Sequence, residues 1–210
     1  NTVADAQSPD ALRAFPLSPD SIRIYFSEAM DDINSTQLSN FSIDDSGINI
    51  ISARLEAPFY NSILVFLDNP LVLGKTYWIS MNSGLTDCVG NPIALKNTVR
   101  VALPEPIQTG DLILNEILFN PNTGNKDFIE LYNTSSKVLN SEDLVISNAQ
   151  IIDGNLANAN SLQTTPVDID WLVFPGEYVV ITEDADLVKQ QYYTPFPENF
   201  IELLSFKISI

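Results

Sequence analysis

Glu116 and Glu130 are the residues whose types and spacing come nearest to chemistry. A pair of carboxylates flanking a glycosidic bond supports hydrolysis, one as acid and the other as base or nucleophile. Both lie in GDLILNEILFNPNTGNKDFIELYN (110–133), where apolar and polar residues alternate. We therefore read them as hydrogen-bonded polar positions on a sheet face, and no residue is assigned a catalytic role. Histidine is absent, which removes the Ser-His-Asp and Cys-His arrangements of nucleophilic catalysis. The one cysteine, Cys88, has no basic neighbour in sequence to activate its thiol, and reads as a small apolar filler beside a turn. Alone it forms no internal disulfide, and without histidine it makes no zinc cluster.

Calcium is the one cofactor whose ligands the chain carries in number. It takes about six to eight oxygens, which Asp-rich loops supply. The candidates are Asp31/Asp32, Asp44/Asp45, Asp168/Asp170 and Glu183/Asp184/Asp186. None has the D-x-D-x-D-G spacing of a dedicated loop, so no metal ligand is assigned and added calcium is expected to change little. Asp87-x-x-Gly90-Asn91 reads as turn chemistry, a carboxylate capping backbone N–H groups while glycine takes φ > 0. Eight glycines in no G-x-G-x-x-G or Walker pattern exclude the usual phosphate loops. Of the aromatics that might stack on a sugar, Tyr60, Trp78, Trp171, Tyr178 and Tyr192 are mostly at core spacing. The exception is the loop Tyr192-Tyr193-Thr194-Pro195-Phe196-Pro197.

The elements that must carry these residues are strands. Ile22, Ile24 and Phe26 alternate with Arg23 and Tyr25, a half-buried strand. Phe41/Ile43, Ile51/Ala53/Leu55, Tyr77/Ile79/Met81 and Val99/Val101/Leu103 repeat the pattern, and Ile63–Leu67 is apolar on both faces, a central strand. In the second half, 112–119, 128–133, 171–174 and 178–182 read as strands, the last two around a Pro175-Gly176 turn. Residues 151–170 read as a long surface loop. Almost no helix is expected outside 27–40 and 183–192. The opening ten residues read as a flexible start. Pro104, Pro106 and Gly110 mark an extended linker at 105–110, so the fold class is all-β, two tandem β-sandwich domains at 1–104 and 111–210.

Composition agrees. With 27 acidic and 10 basic residues the net charge is −17, against binding of nucleic acid or of an anionic membrane surface. We read that charge as a means of solubility. Hydrophobic residues are nevertheless 45% of the chain, enough for packed cores. The longest apolar run, Ile63–Leu67, is far short of the ~20 residues of a membrane helix. No basic-then-apolar leader opens the sequence, so any export signal lies outside it.

Two phrase sets resemble known modules. SIRIYFSEAMD (21–31) and LVLGKTYWISMNSGLTDCVGNPI (71–93) resemble the bacterial Ig-like domain of surface-layer and other exported proteins, over residues 8–103. LNEILFNP…DFIELYN, LNSEDLVISNAQ (139–150) and WLVFPGEYVVITEDADLV (171–188) resemble the bacterial lamin tail domain, an immunoglobulin-like sandwich, over residues 110–210. These resemblances imply a secreted or cell-surface, non-catalytic structural or protein-interaction module. The alternative they leave is a carbohydrate- or calcium-binding accessory module of an extracellular hydrolase. Lamin tail domains continue past a segment like ENFIEL (198–203) into a further strand pair. Here LLSFKISI (203–210) holds one strand at most, so an open sheet edge and edge-strand self-association are expected.

Overall fold

Side chains two apart along a strand share a face, and that period shapes both halves of the chain. The computed structural model describes residues 5–147, 151–152, 155–156, 164–166 and 169–203. Its chain divides into two compact units, Asn1–Leu103 and Pro104–Ile210.

The first unit contains β1 (Ala11–Ser18), β2 (Ser21–Phe26), α1 (Asp32–Ser35), β3 (Phe41–Ile43), β4 (Ile50–Leu55), β5 (Ser62–Leu67), β6 (Tyr77–Met81) and β7 (Thr98–Val101). They form a four-stranded sheet in the order β1-β2-β5-β4 and a three-stranded sheet in the order β3-β6-β7. Every pairing is antiparallel. Ile22, Ile24, Ile63 and Val65 of one sheet and Tyr77, Ile79 and Val101 of the other are all fully buried. Leu64 is buried as well, so β5 is apolar on both faces as expected of a central strand. Full burial of each such aliphatic side chain contributes roughly 1.5–3 kcal/mol of transfer free energy.

Three expectations fail in this unit. β1 has no counterpart in the sequence reading; its Pro16 sits on an edge strand, where a missing N–H costs no ladder bond. Ile51 is 56% exposed, because a register shift between Ile50 and Ser52 turns it out of the face that Leu55 shares with the core. Tyr60 and Trp78 are also largely exposed rather than core residues.

The second unit runs β8 (Leu112–Leu118), β9 (Phe128–Asn133), β10 (Leu139–Asn140), β11 (Val145–Ser147), β12 (Ile151–Ile152), β13 (Asn155–Leu156), β14 (Thr164–Pro166), β15 (Leu172–Val173), β16 (Tyr178–Thr182), α2 (Ala185–Gln191) and β17 (Phe200–Glu202). Its main sheet has the order β17-β16-β9-β8, with β16 and β17 parallel and α2 between them in the chain. One face carries Ile129, Val179, Ile181 and Ile201, which pack with Leu139 of β10 and Val173 of β15, so the β10–β15 ribbon is the second layer. The opposite face carries Phe128 and Val180, covered by Val188 of α2 and by Tyr192 and Phe200.

The turn at Pro175-Gly176 closes as expected, with Glu177 N–H donating to Phe174 O over 3.1 Å and Gly176 at φ +75°. The strands it joins do not pair with each other: β15 pairs with β10, and β16 with β9. The expectation of a loop over 151–170 is corrected where residues are described. β12 and β13 pair with each other, and β14 pairs with β11 from Val145↔Pro166 to Ser147↔Thr164. Short Asn/Thr-rich strands carry too little apolar periodicity to reveal this. Residues 104–110 lie along the unit, Glu105 N–H donating to Val138 O and Ile107 packing on the core. The expected terminal strand over 204–210 lies outside the described residues. Helix is confined to α1, α2 and two short 3-10 turns among the described residues, all within or between strands of an all-β fold.

Candidate functional site

The most built surface of the second unit is the covered face of its main sheet. Glu130 and Val180 are cross-strand partners there, and Tyr132 is the partner of Tyr178. The two tyrosine rings stack with centroids 4.5 Å apart. On the other side of Glu130, β8 carries an irregularity between Leu114 and Glu116. The extra residue, Asn115, donates through Nδ2 to Glu130 Oε1 at 2.6 Å. A bulge of this kind re-aims a side chain that strict alternation would place elsewhere. The loop after α2 forms the wall: Phe196 N–H donates to Thr194 Oγ1 at 3.2 Å, Asn199 N–H to Phe196 O at 3.1 Å, and Asn199 Nδ2 to Tyr178 O at 3.0 Å. Between wall and sheet lies a cavity of about 230 Å³.

The sequence reading thus finds two of the pieces. Glu130 and the Tyr192–Pro197 loop meet here through Thr194, Pro195 and Phe196, while Tyr178, read as core, is 37% exposed and lines the cavity. Asn115 carried no signal, because only the bulge brings its amide to Glu130. Glu116 is the direct partner of Glu130 across β8 and β9, as adjacent strands require. It does not line the cavity, so the pair shares no cleft in which a glycoside could sit between them.

β8 itself is the last strand of its sheet; among the described residues it pairs with β9, and beyond that Leu112 bridges to Thr109. Ile113, Leu114 and Ile117 are exposed by 42%, 53% and 44%. An apolar edge strand of this length is a template for another strand.

Several of the carboxylates considered for calcium hold other partners. Asp31 caps α1 by accepting from Asn34 N–H, and Asp184 caps α2 by accepting from Leu187 N–H. Asp44 accepts from Trp78 N–H, Asp45 pairs with Lys75, and Glu183 pairs with Lys126 at 2.6 Å. Asp168 lies outside the described residues.

A different carboxylate group comes together in the first unit. Asp5, Glu28 and Asp87 place ligand oxygens within 4.8 Å of one another. Spread over the chain, they share no motif. Asp87 is fully buried, and its Oδ1 accepts from Val89 N–H at 2.9 Å and Asn91 N–H at 2.8 Å, while Oδ2 accepts from Asn91 Nδ2 at 2.8 Å. Gly90, at φ +97°, lets the loop close around it. Burial acts to raise the Asp87 carboxyl, but the Asn91 side chain and the loop N–H groups overcome it and hold it below the usual range. Glu28 moves the other way, raised by burial first and then by the charges of Asp87, Asp5 and Asp10. Calcium does not fit this group well, since one Asp87 oxygen is saturated and three carboxylates fall short of its coordination. The two carboxyls are thus shifted in opposite directions, Glu28 up and Asp87 down. Cys88, in the same turn, is exposed and not the apolar filler expected of it.

Glu28 works against stability at neutral pH, because the folded state holds its proton more tightly than the unfolded chain does. That handicap fades as pH falls through its raised folded value. Glu28→Gln should therefore stabilise the first unit at pH 7 by a few tenths to about 1 kcal/mol, and by little near pH 4 (about the unperturbed carboxylate value). Urea melts at the two pH values measure this, and an equal gain at both would contradict it. In thermal melts millimolar calcium should leave the transition in place; a rise of several degrees would show a cation bound to the native state.

No family model matches this chain. No curated protein matches it either. Among solved structures it is similar to the surface-layer protein SbsC: 18% identity and a TM-score of 0.42 to a crystal structure of residues 31–844, covering 80% of this chain and 25% of that one. The N-terminal part of the bacterial S-layer protein SbsC gives 18% identity and a TM-score of 0.41, with 83% of this chain and 44% of that one covered. The chain thus spans a quarter to under half of the structures it is similar to. Likeness at this level identifies neither a family nor a function.

Proposed function

We propose that the chain is a non-catalytic structural and interaction module of an exported or cell-surface protein, and that its second unit binds another polypeptide by adding a strand at β8. The observation that carries this is the β8 edge, which from Ile113 to Leu118 has β9 as its one strand partner among the described residues and exposes Ile113, Leu114 and Ile117. The bulge at Asn115 and the charge of Glu116 blunt the middle of the strand. Ile113–Leu114 and Ile117–Leu118 are left as the pairing stretches. Placement outside the cell rests on the FSEAMD and LNEILFNP phrases and their resemblance to exported modules.

A second copy of the chain is the simplest occupant, and the charge of −17 on each copy opposes it at low salt. Self-association should therefore appear in sedimentation as salt is raised to about 0.5 M, where screening acts within a few ångströms. Leu114→Lys with Ile117→Lys should remove it. A monomer at every salt and protein concentration would restrict the edge to other partners, and association untouched by both lysines would place it away from β8.

A further inference from the structure

The cavity between β9, β16 and the Thr194–Asn199 loop has a definite chemistry. Among the described residues Glu130 is its one charged lining residue, and no lysine or arginine lines it. Oε1 of Glu130 is bonded to Asn115, whereas no hydrogen bond to Oε2 occurs among the described residues. Directly across the strand pair, outside the cavity lining, stands the Glu116 carboxylate, and like charges so placed repel. The remaining walls are aromatic and apolar: the Tyr178 ring, held in place by its stack on Tyr132, the half-exposed Phe196, and Val180 and Pro195. At about 230 Å³ the space is smaller than the ~300–1,000 Å³ of pockets for drug-sized ligands. It suits a single side chain or a small head group.

We propose that this cavity binds an organic cation, a guanidinium or primary ammonium on a short apolar stem. The free oxygen of Glu130 accepts the head, the Tyr178 and Phe196 rings face its charge, and Val180 and Pro195 cover the stem. Aromatic rings attract such cations within about 6 Å of their centroids. A guanidinium matches the fork of a carboxylate, so arginine-like heads should be preferred to lysine-like ones. An anion finds no donor of positive charge here, and a neutral sugar leaves the repulsion between the glutamates unrelieved. The inference stands apart from strand addition at β8, since it concerns the sheet face and not its edge.

The test is NMR titration of the whole chain, following the Asn115 side-chain amide and the Tyr178 ring. Butylguanidinium, butylammonium, glucose and a blocked arginine peptide are the probes. Both cations should give saturable shifts with dissociation constants near about 1 mM, and glucose none. Glu130→Gln should weaken the cations at least about tenfold while sedimenting as the parent does, and Phe196→Ala should weaken them severalfold with the spectrum otherwise unchanged. Tighter capture of the peptide than of butylguanidinium assigns the head to a protein side chain; the reverse order assigns a free small cation. Shifts with glucose but not the cations, no saturable shift with any probe, or undiminished binding by Glu130→Gln would overturn the proposal.

Discussion

Replacing Asn133 with alanine is expected to lower the stability of the second unit by about 3 kcal/mol. The amide is fully buried at the end of β9, and every hydrogen-bonding position it has is used. Its Nδ2 donates to Lys137 O at 2.9 Å and to Val173 O at 3.0 Å. Its Oδ1 accepts from Ser135 N–H at 3.0 Å and Ser135 Oγ at 2.8 Å. One side chain thus fixes the turn after β9 and ties the main sheet to β15 in the opposite layer. Alanine leaves the Val173 and Lys137 carbonyls and the Ser135 N–H without that partner, and also opens a small cavity. Asn133→Asp keeps the acceptor but turns the two donor bonds into repulsion against carbonyls, so it should cost at least as much. Denaturation followed by Trp171 in a Trp78→Phe background reports this unit by itself; a loss below about 1 kcal/mol, the worth of one ordinary hydrogen bond, would mean that the network is not what closes the sandwich.

Asp87→Ala should lower the stability of the first unit by about 2–3 kcal/mol at neutral pH. It orphans the Val89 and Asn91 N–H groups inside a closed turn and removes the anchor of the Asn91 side chain. Relief of Glu28 offsets a little of the loss. Since hydrogen bonds hold the folded-state value of Asp87 below its unfolded one, its contribution is present above the unfolded carboxylate range. The part that depends on its charge is lost as pH falls through the folded value. The gap between the parent and Asp87→Ala melts should therefore narrow in strong acid, where the neutral carboxyl still accepts hydrogen bonds but less strongly. A gap as wide in strong acid as at pH 7, or none at pH 7, would contradict the account.

How much of this was legible in the sequence depends on whether a residue's partner sits near it in the chain or follows from strand period. Ile22/Ile24/Phe26, Tyr77/Ile79/Met81 and the β8–β9 hairpin follow from alternation, and the adjacency of Glu116 and Glu130 follows from that hairpin. Asp87 capping its own loop was readable because acceptor and donors lie within four residues. What escaped depends on register or on distance. The slip at Ile50/Ser52 turned Ile51 outward, and the bulge at Asn115 created the contact on Glu130. The Asp5/Glu28/Asp87 group and the two-layer role of Asn133 join residues far apart, which no local pattern encodes. Exposed Trp78, Tyr60 and Tyr178 show that aromatic spacing alone does not separate a core face from an outer one.

The central claim is that β8 presents a free edge, and native-state hydrogen exchange on the isolated protein at low salt tests it most directly. The amides of β8 that point away from β9 should exchange far faster than those of β9 and β16, while those bonded to β9 stay protected. If every β8 amide were as protected as those of β9, the edge would be covered within the chain itself, and strand addition there would be ruled out.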